Sequence, residues 1–256
     1  MSDKHIVEMP ESINNAIKNI SDLPTKNVGQ TLSDCWFLIF GGVSQLAEKR
    51  KLKYAKELES FKSSLEEKIA SIPEQNRLNA NTQIVMPALD SAKYCVEETV
   101  LREMFANLIS CSIDNRKNSL VHPSFCDILK SLTPLDVKNL LLIDHNILLP
   151  ICNIIHYDSE QQSHFNLTLQ NLFFMNPECQ VYEQQSLSIG SLLRHGLVEI
   201  PATQSISDPT AYTVYENCDE LIQIKNEYPN EKFGLQKNLI RLTPFGCSFM
   251  DVCCPD

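Results

Sequence analysis

Glycine is scarce in this chain, seven residues in 256, and the devices that glycine builds are missing with it. There is no G-x-x-x-x-G-K-[ST] loop, no G-x-G-x-x-G turn and no G-x-S-x-G elbow, and H-E-x-x-H is absent too, which removes the common phosphate, dinucleotide, nucleophile and zinc signatures. Long apolar runs are also lacking. The most apolar stretch is Thr31 to Val43, in which Cys35 to Phe40 gives six nonpolar residues before Gly41 and Gly42, far short of the roughly 20 needed to cross a bilayer. Positive charge is in deficit, 22 Lys and Arg against 32 Asp and Glu for a formal net charge of −10. That balance argues against sequence-independent nucleic-acid binding by the molecule as a whole. The ten cysteines contain no C-x-x-C pair, and no signal peptide opens the sequence, so reduced thiols in a cytosol are expected rather than a disulfide scaffold.

What is present is helical pattern. Hydrophobic residues make up 43% and charged residues 21%, enough to bury a core and too apolar for global disorder. The stretch Glu97 to Phe125 organises the rest. Leu101, Met104, Phe105, Leu108, Ile109 and Ser112 fall at i, i+3, i+4, i+7, i+8 and i+11, one buried stripe of a 3.6-residue period. Glu98 and Arg102 stand one turn apart in the favourable order, while Asn107, Ser110 and Asp114 flank the other face. Asp114 to Ser119 is a polar breaker, and His122-Pro123-Ser124 begins another helix, with Pro123 at its first position.

Other elements read from either side. Pro10 opens a short helix carrying Ile13, Ala16, Ile17 and Ile20. A long helix begins at the basic cluster Lys49, Arg50, Lys51, Lys53 and Lys56 and runs to about Ile72, with Leu52, Leu58, Phe61, Leu65 and Ile69 as its apolar side. Gln83 to Cys95 is a helix with Pro87 in its first turn. A boundary falls near Leu132 to Asp136, where Thr133 as N-cap, Pro134 at the first position and Asp136 in the first turn start a helix. The apolar run Ile147 to Ile155 should break or restart at Pro150, and Phe165 to Phe174 is a short helix or a strand. Later, Ser186 to His195 is a helix stopped by Gly196, followed by strands at Leu197 to Ile200, Ala211 to Tyr215 and Leu239 to Leu242, and by a final helix after Thr243-Pro244. The expected architecture is therefore mainly α. It comprises a short helix and linker over 1–29, a multi-helix core over 30–132, and an α+β, winged-helix-like unit within 133–256. From Val181 onward five basic residues face ten acidic ones, so protein contact or self-association is expected of that unit rather than DNA reading.

Three groups of residues invite a function. Trp36, Phe37 and Phe40 beside Lys49, Arg50, Lys51 and Lys53 form a candidate membrane or partner surface, an apolar segment next to a basic helix; against it stands ordinary core packing with solvated lysines. His145, His156 and His164, with Asp144, Cys152 and Asp158, could nominate a metal site, but their spacing matches no zinc signature, and surface or hydrogen-bonded histidines are the simpler reading. Arg102, Asn107 and His122 either satisfy backbone groups or bind something. No metal or cofactor is expected.

The run LREMFANLISCSID, followed by VHPSFCDILKSLTPLD, resembles the abortive-infection alpha (Abi-alpha) family of bacterial proteins, long known as a domain of unknown function. The similarity extends back through IPEQNRLNANTQIVMPALDSAKYCVEE and forward to IRLTPFGCSFMDVC. It covers about residues 30–256 and is most specific between Ile72 and Asp136. Glu98, Arg102, Glu103, Phe105, Asn107, His122, Pro123 and Phe125 carry it. The resemblance implies a link to phage defence and supplies no catalytic residue. An antiphage protein acting by abortive infection follows as the expectation, cytoplasmic or peripheral at the inner membrane, as a non-enzymatic binding or membrane-perturbing effector. A dimerisation or interaction module regulating a separate effector, and an unrecognised hydrolase or nuclease at the Asp144 to His164 cluster, are the alternatives.

Overall fold

A computed structural model describes residues 26–40, 48–144, 147–157 and 165–254. The chain divides into two compact units, one of residues up to Ser131 joined by Ser248 onward, the other spanning Leu132–Cys247. The expected short helix near Pro10 lies outside the described residues.

The first unit is helical. Its elements are α1 (Lys26–Phe40), α2 (Glu48–Ala70), α3 (Thr82–Ala92), α4 (Thr99–Ile113) and α5 (Phe125–Ser131). On α2 the stripe Leu58, Phe61, Leu65 and Ile69 is buried, which 3.6-residue spacing requires. Trp36 and Phe40 of α1, one turn apart, have ring centroids 4.5 Å apart, and Trp36 stacks 5.8 Å from Phe61. The start of α3 is capped by Asn81, whose side chain accepts the Gln83 N–H at 3.0 Å. Pro87 is inside this helix rather than in its first turn, because the cap sets the beginning at Thr82. From Leu101 to Ile113 every residue of α4 except Glu103 is buried. The polar flank Asn107, Ser110 and Asp114, expected to face away from the core, is thus covered as well.

The second unit is α+β. It opens on α6 (Pro134–Leu142), started by a capping box: Thr133 Oγ1 accepts the Asp136 N–H at 3.2 Å and Asp136 Oδ2 accepts the Thr133 N–H at 2.8 Å. There follow β1 (Leu149–Tyr157), β2 (Phe165–Leu172), α7 (Tyr182–Arg194), β3 (Val198–Glu199), α8 (Thr213–Glu216), α9 (Asp219–Glu227), β4 (Lys232–Leu242) and the start of α10 (Pro244–Cys253), whose residues from Ser248 onward belong to the first unit. The antiparallel sheet runs β2-β1-β4-β3.

Two expectations are corrected here. Pro150 does not interrupt its apolar run: β1 is continuous, and β2 pairs with it only from Cys152 onward, so the proline lies where that neighbour asks nothing of its missing N–H. Ala211 to Tyr215 is not a strand but helical turn. Asp208 accepts the Thr210 N–H and Pro209 fixes the next residue, so the chain coils before alternation can begin. Tyr212 and Tyr215 then point inward together, one hydroxyl donating to Asn238 O at 2.8 Å and the other to Pro150 O at 2.7 Å. Gly196 ends α7 as expected, with φ +68° and the Leu197 N–H reaching back to Leu192 O at 3.1 Å. Among the described residues, no helix is long and apolar enough to cross a membrane.

Candidate functional site

Asn107, Ser110 and Cys111 of α4 stand at i, i+3 and i+4, one face of the helix by its 3.6-residue period, and Asp114 caps its end. That face lines a partly open cavity of about 210 Å³. Lys68 near the end of α2 with Ser71 and Ile72 just past it, Arg116 and Lys117 from the turn after α4, and Asp251 and Val252 from the end of α10 with Cys254 just past it complete it. Every one of these residues belongs to the first unit.

Local structure places each group. The segment after α2 is held to the end of α4 by the Leu78 N–H to Ile113 O bond at 2.7 Å and the Asn115 N–H to Asn76 O bond at 2.9 Å. These fix the turn that carries Arg116 and Lys117. Arg116 grips the Asp114 carboxylate, Nε to Oδ1 at 2.8 Å, and the Arg116 N–H donates to the same oxygen at 3.0 Å. The guanidinium therefore holds the Asp114 carboxyl below its ordinary range. Asn107 Nδ2 donates to Cys253 O at 3.1 Å, Cys111 Sγ to Val252 O at 3.6 Å, and Ser110 Oγ to Asn107 O at 3.0 Å. Lys68 lies 3.4 Å from Glu103 Oε2, which also accepts Ser64 Oγ at 2.6 Å. Burial pushes the Cys111 thiol up, against a pull down from Lys117 and Lys68, and pushes Cys253 well up. Thiols held protonated in this way are poor nucleophiles. The arrangement is suited to holding a polar ligand.

The family-like residues mostly serve packing and ties between elements. Arg102 donates through Nη1 to Glu57 and to Val96 O at 3.1 Å, so its partner is Glu57 across to α2 rather than Glu98, the residue before α4, whose exposed side chain makes no cap bond. Glu103 ties α4 to Ser64 and Lys68, and Phe105 is core. His122 Nδ1 lies 2.7 Å from Ser124 Oγ and accepts the Ser124 N–H at 3.2 Å. Pro123 sits in that turn, two residues ahead of α5, and Phe125 packs edge-on against Phe249, centroids 5.2 Å apart. Only Asn107 of this set lines the cavity.

The other two groups come out differently. Trp36 and Phe40 are fully buried while Phe37 is 52% and Leu38 71% exposed; an i, i+4 aromatic pair turned inward leaves the positions between them outward. The candidate surface therefore loses Trp36 and Phe40. Lys53 pairs with Glu97 at 2.6 Å, and the side chains of Lys49, Arg50 and Lys51 lie outside the described residues. In the histidine group, His145, Asp158 and His164 lie outside them as well. His156 Nε2 sits 3.0 Å from Glu231, and the buried Cys152 thiol is pushed up to about 12. Among the described residues, no three or more His, Cys, Asp and Glu side chains are placed to hold a metal.

The cavity's cations were missed at the sequence level. Arg116 and Lys117 read there as part of a loop, although basic residues just past a helix C-terminus are favoured by its negative end and are a usable signal. Lys68 and Asp251 carry no signal at all, since the fold alone brings them to Asn107.

A family model described as abortive infection alpha matches residues 53–253. No curated protein matches the chain. Among solved structures, it is similar to an uncharacterized protein from the hydrocarbon-degrading marine bacterium Alcanivorax borkumensis SK2, at 16% identity and a TM-score of 0.37, over 54% of this chain and 94% of that one.

Proposed function

Because this chain belongs to the abortive infection alpha family, we propose that it is an antiphage protein that sacrifices the infected cell, acting by binding rather than by catalysis. The observation that carries the reading is the family match over residues 53–253, which takes in both compact units. The polar face of α4 that lines the cavity supports binding as the mode of action, and the one thiol on that face, Cys111, is pushed up by burial and so is a poor nucleophile. The protein acts in the cytoplasm, with the C-terminal unit as a contact surface for a protein partner or a second copy. Its helix, strand, insertion, strand and helix from α7 to α10 support a winged-helix-like reading, and its acidic balance favours protein over DNA as the partner.

A membrane-perturbing variant of this reading draws on Phe37 and Leu38, which lie side by side and exposed on α1. One experiment addresses both. Bacteria expressing the protein are infected at low and at high phage-to-cell ratio, and survival and phage yield are followed. Protection of the culture at low ratio with collapse at high ratio is expected; no protection at either ratio across a broad phage panel would remove the defence reading. Carrying Phe37→Asp with Leu38→Asp in parallel tests the membrane variant, which is lost if protection and membrane potential are unchanged.

A further inference from the structure

We propose that the outward face of α7 docks the same helix of a second copy of this chain, packed antiparallel across a two-fold axis. Gln185, Ser188, Ile189 and Leu192 form the buried stripe of α7. At its edge Tyr182 and Ser186 donate to Gln170 O at 3.2 and 2.9 Å. The opposite stripe, by the 3.6-residue period, is Glu183, Leu187, Gly190 and Arg194 at i, i+4, i+7 and i+11. Leu187 is 76% exposed, more than any other large hydrophobic among the described residues. Three residues on, a Cβ at Gly190 would meet nothing within 4 Å, so one face carries both a projecting side chain and an open notch. Glu183 in the first turn and Arg194 in the last are exposed, and neither makes an ion pair among the described residues.

Each feature alone has a plainer origin. Single exposed leucines are ordinary on surfaces, and an acid at the start of a helix with a base at its end suits the helix dipole. Their order along the stripe is what points to a second copy. A two-fold axis at the level between Ser188 and Ile189 sends position 183 to 194 and position 187 to 190. Antiparallel pairing therefore sets Glu183 against Arg194 of the second copy, and Leu187 against its Gly190, each twice. Opposite charges meet at both ends and the leucine fills the notch between them, the self-complementarity that a two-fold interface requires. Parallel pairing would set like charge against like and leave the notch empty. The bare backbone at Gly190 allows the helix axes to approach to about 8 Å, the close end of helix packing. The two charged pairs then stand about 16 Å apart along the helix, bracketing the contact. A helix of another protein would fit this face only by carrying the reversed pattern, which a second copy already has. Because the buried stripe holds α7 in place, little ordering is lost on pairing. One helix pair buries less than the roughly 1,200 Å² of standard interfaces, so the expected dimer dissociates in the micromolar range.

The inference rests on the reading of the C-terminal unit as a contact surface and is independent of the defence reading. Sedimentation velocity of the full chain, kept reduced, is followed over rising protein concentration. A monomer–dimer equilibrium that weakens with added salt is expected. Arg194→Glu sets acid against acid at both ends and should weaken the dimer about tenfold. Combining it with Glu183→Arg exchanges the charges and should restore association. Leu187→Asp should remove the dimer. Thermal unfolding of each variant, at a dilution where the unaltered chain is monomeric, should be unchanged, since all three positions are exposed. A chain that stays monomeric at every concentration would overturn the second copy as occupant, leaving a different protein as the partner of the C-terminal unit. A dimer untouched by Arg194→Glu and Leu187→Asp, or one that the charge exchange fails to restore, would overturn the α7 pairing while self-association itself stood.

Discussion

Arg102 is 7% exposed in the first turn of α4 and is held by Glu57 and Val96 O. Among the described residues its Nε makes no hydrogen bond: Glu103 Oε1 is 3.9 Å away, near enough for charge attraction and too far for a bond. Such a residue stabilises the fold less than its removal would suggest, because deleting one partner strands the other charge. Arg102→Leu should cost about 2 kcal/mol by urea denaturation, below the roughly 3–5 kcal/mol of fully buried pairs because Glu57 keeps 23% of its side-chain exposure. The double variant Arg102→Leu with Glu57→Leu should recover most of that loss. A double variant as unstable as the sum of the singles would show that the two side chains are not coupled. The sequence offered Glu98 as the partner because residues four apart on a helix meet; a partner on α2 is invisible to a local rule. Asn107 was legible as a polar residue that needed explaining, while its partner Cys253 O lies 146 positions away.

At the scale of elements, the sequence was most legible where a single residue type decides the backbone. Thr133, Pro134 and Asp136 make their capping box, Gly196 takes its positive φ, and the apolar stripe of α4 is buried. It was least legible where tertiary pairing decides. β1 rests on β2 on one side and on β4 on the other, and the β1–β2 pairing absorbs an irregularity at Asn171, φ 59°, whose N–H is taken by Asn153 Oδ1 at 2.9 Å. Neither the tolerance of Pro150 nor the coiling of Ala211 to Tyr215 follows from alternation alone. Two helical glycines show how context reverses one substitution. A Cβ at Gly190 on α7 would meet nothing within 4 Å, whereas at Gly246 on α10 it would stand 1.9 Å from Leu197 O. Gly190→Ala should therefore raise stability by about 0.5–1 kcal/mol, the usual helix gain. Gly246→Ala should lower it by about 3 kcal/mol, at the upper end of overpacking costs because backbone must move. Thermal unfolding of both variants checks the pair; equal shifts would mean that the approach of α10 to Leu197 is looser than described.

The whole molecule is two units threaded by one chain, and the threading is asymmetric. Leu132–Cys247 is continuous in sequence, whereas the other unit needs both the residues up to Ser131 and those from Ser248. A boundary near Leu132 was readable from the Thr133 cap. The return was not, because Ser248 to Cys254 continues the helix that Pro244 begins and shows no break in composition. This is also why the cavity could not be seen in advance: its residues come from 68–72, 107–117 and 251–254, and only the return brings the third group to the first two. A fragment test follows. Residues 132–247 expressed alone should fold, since their core of Cys152, Ile154, Leu172, Tyr212, Tyr215 and Leu221 is complete within that span. A fragment ending at Ser131 should be destabilised. It would lose the Cys253 and Val252 carbonyls that accept from Asn107 and Cys111, and the Phe249 ring against Phe125. Circular dichroism with cooperative urea unfolding distinguishes the two. A cooperative first fragment, or a 132–247 fragment that unfolds without a transition, would mean that the cooperative units of folding do not follow this division.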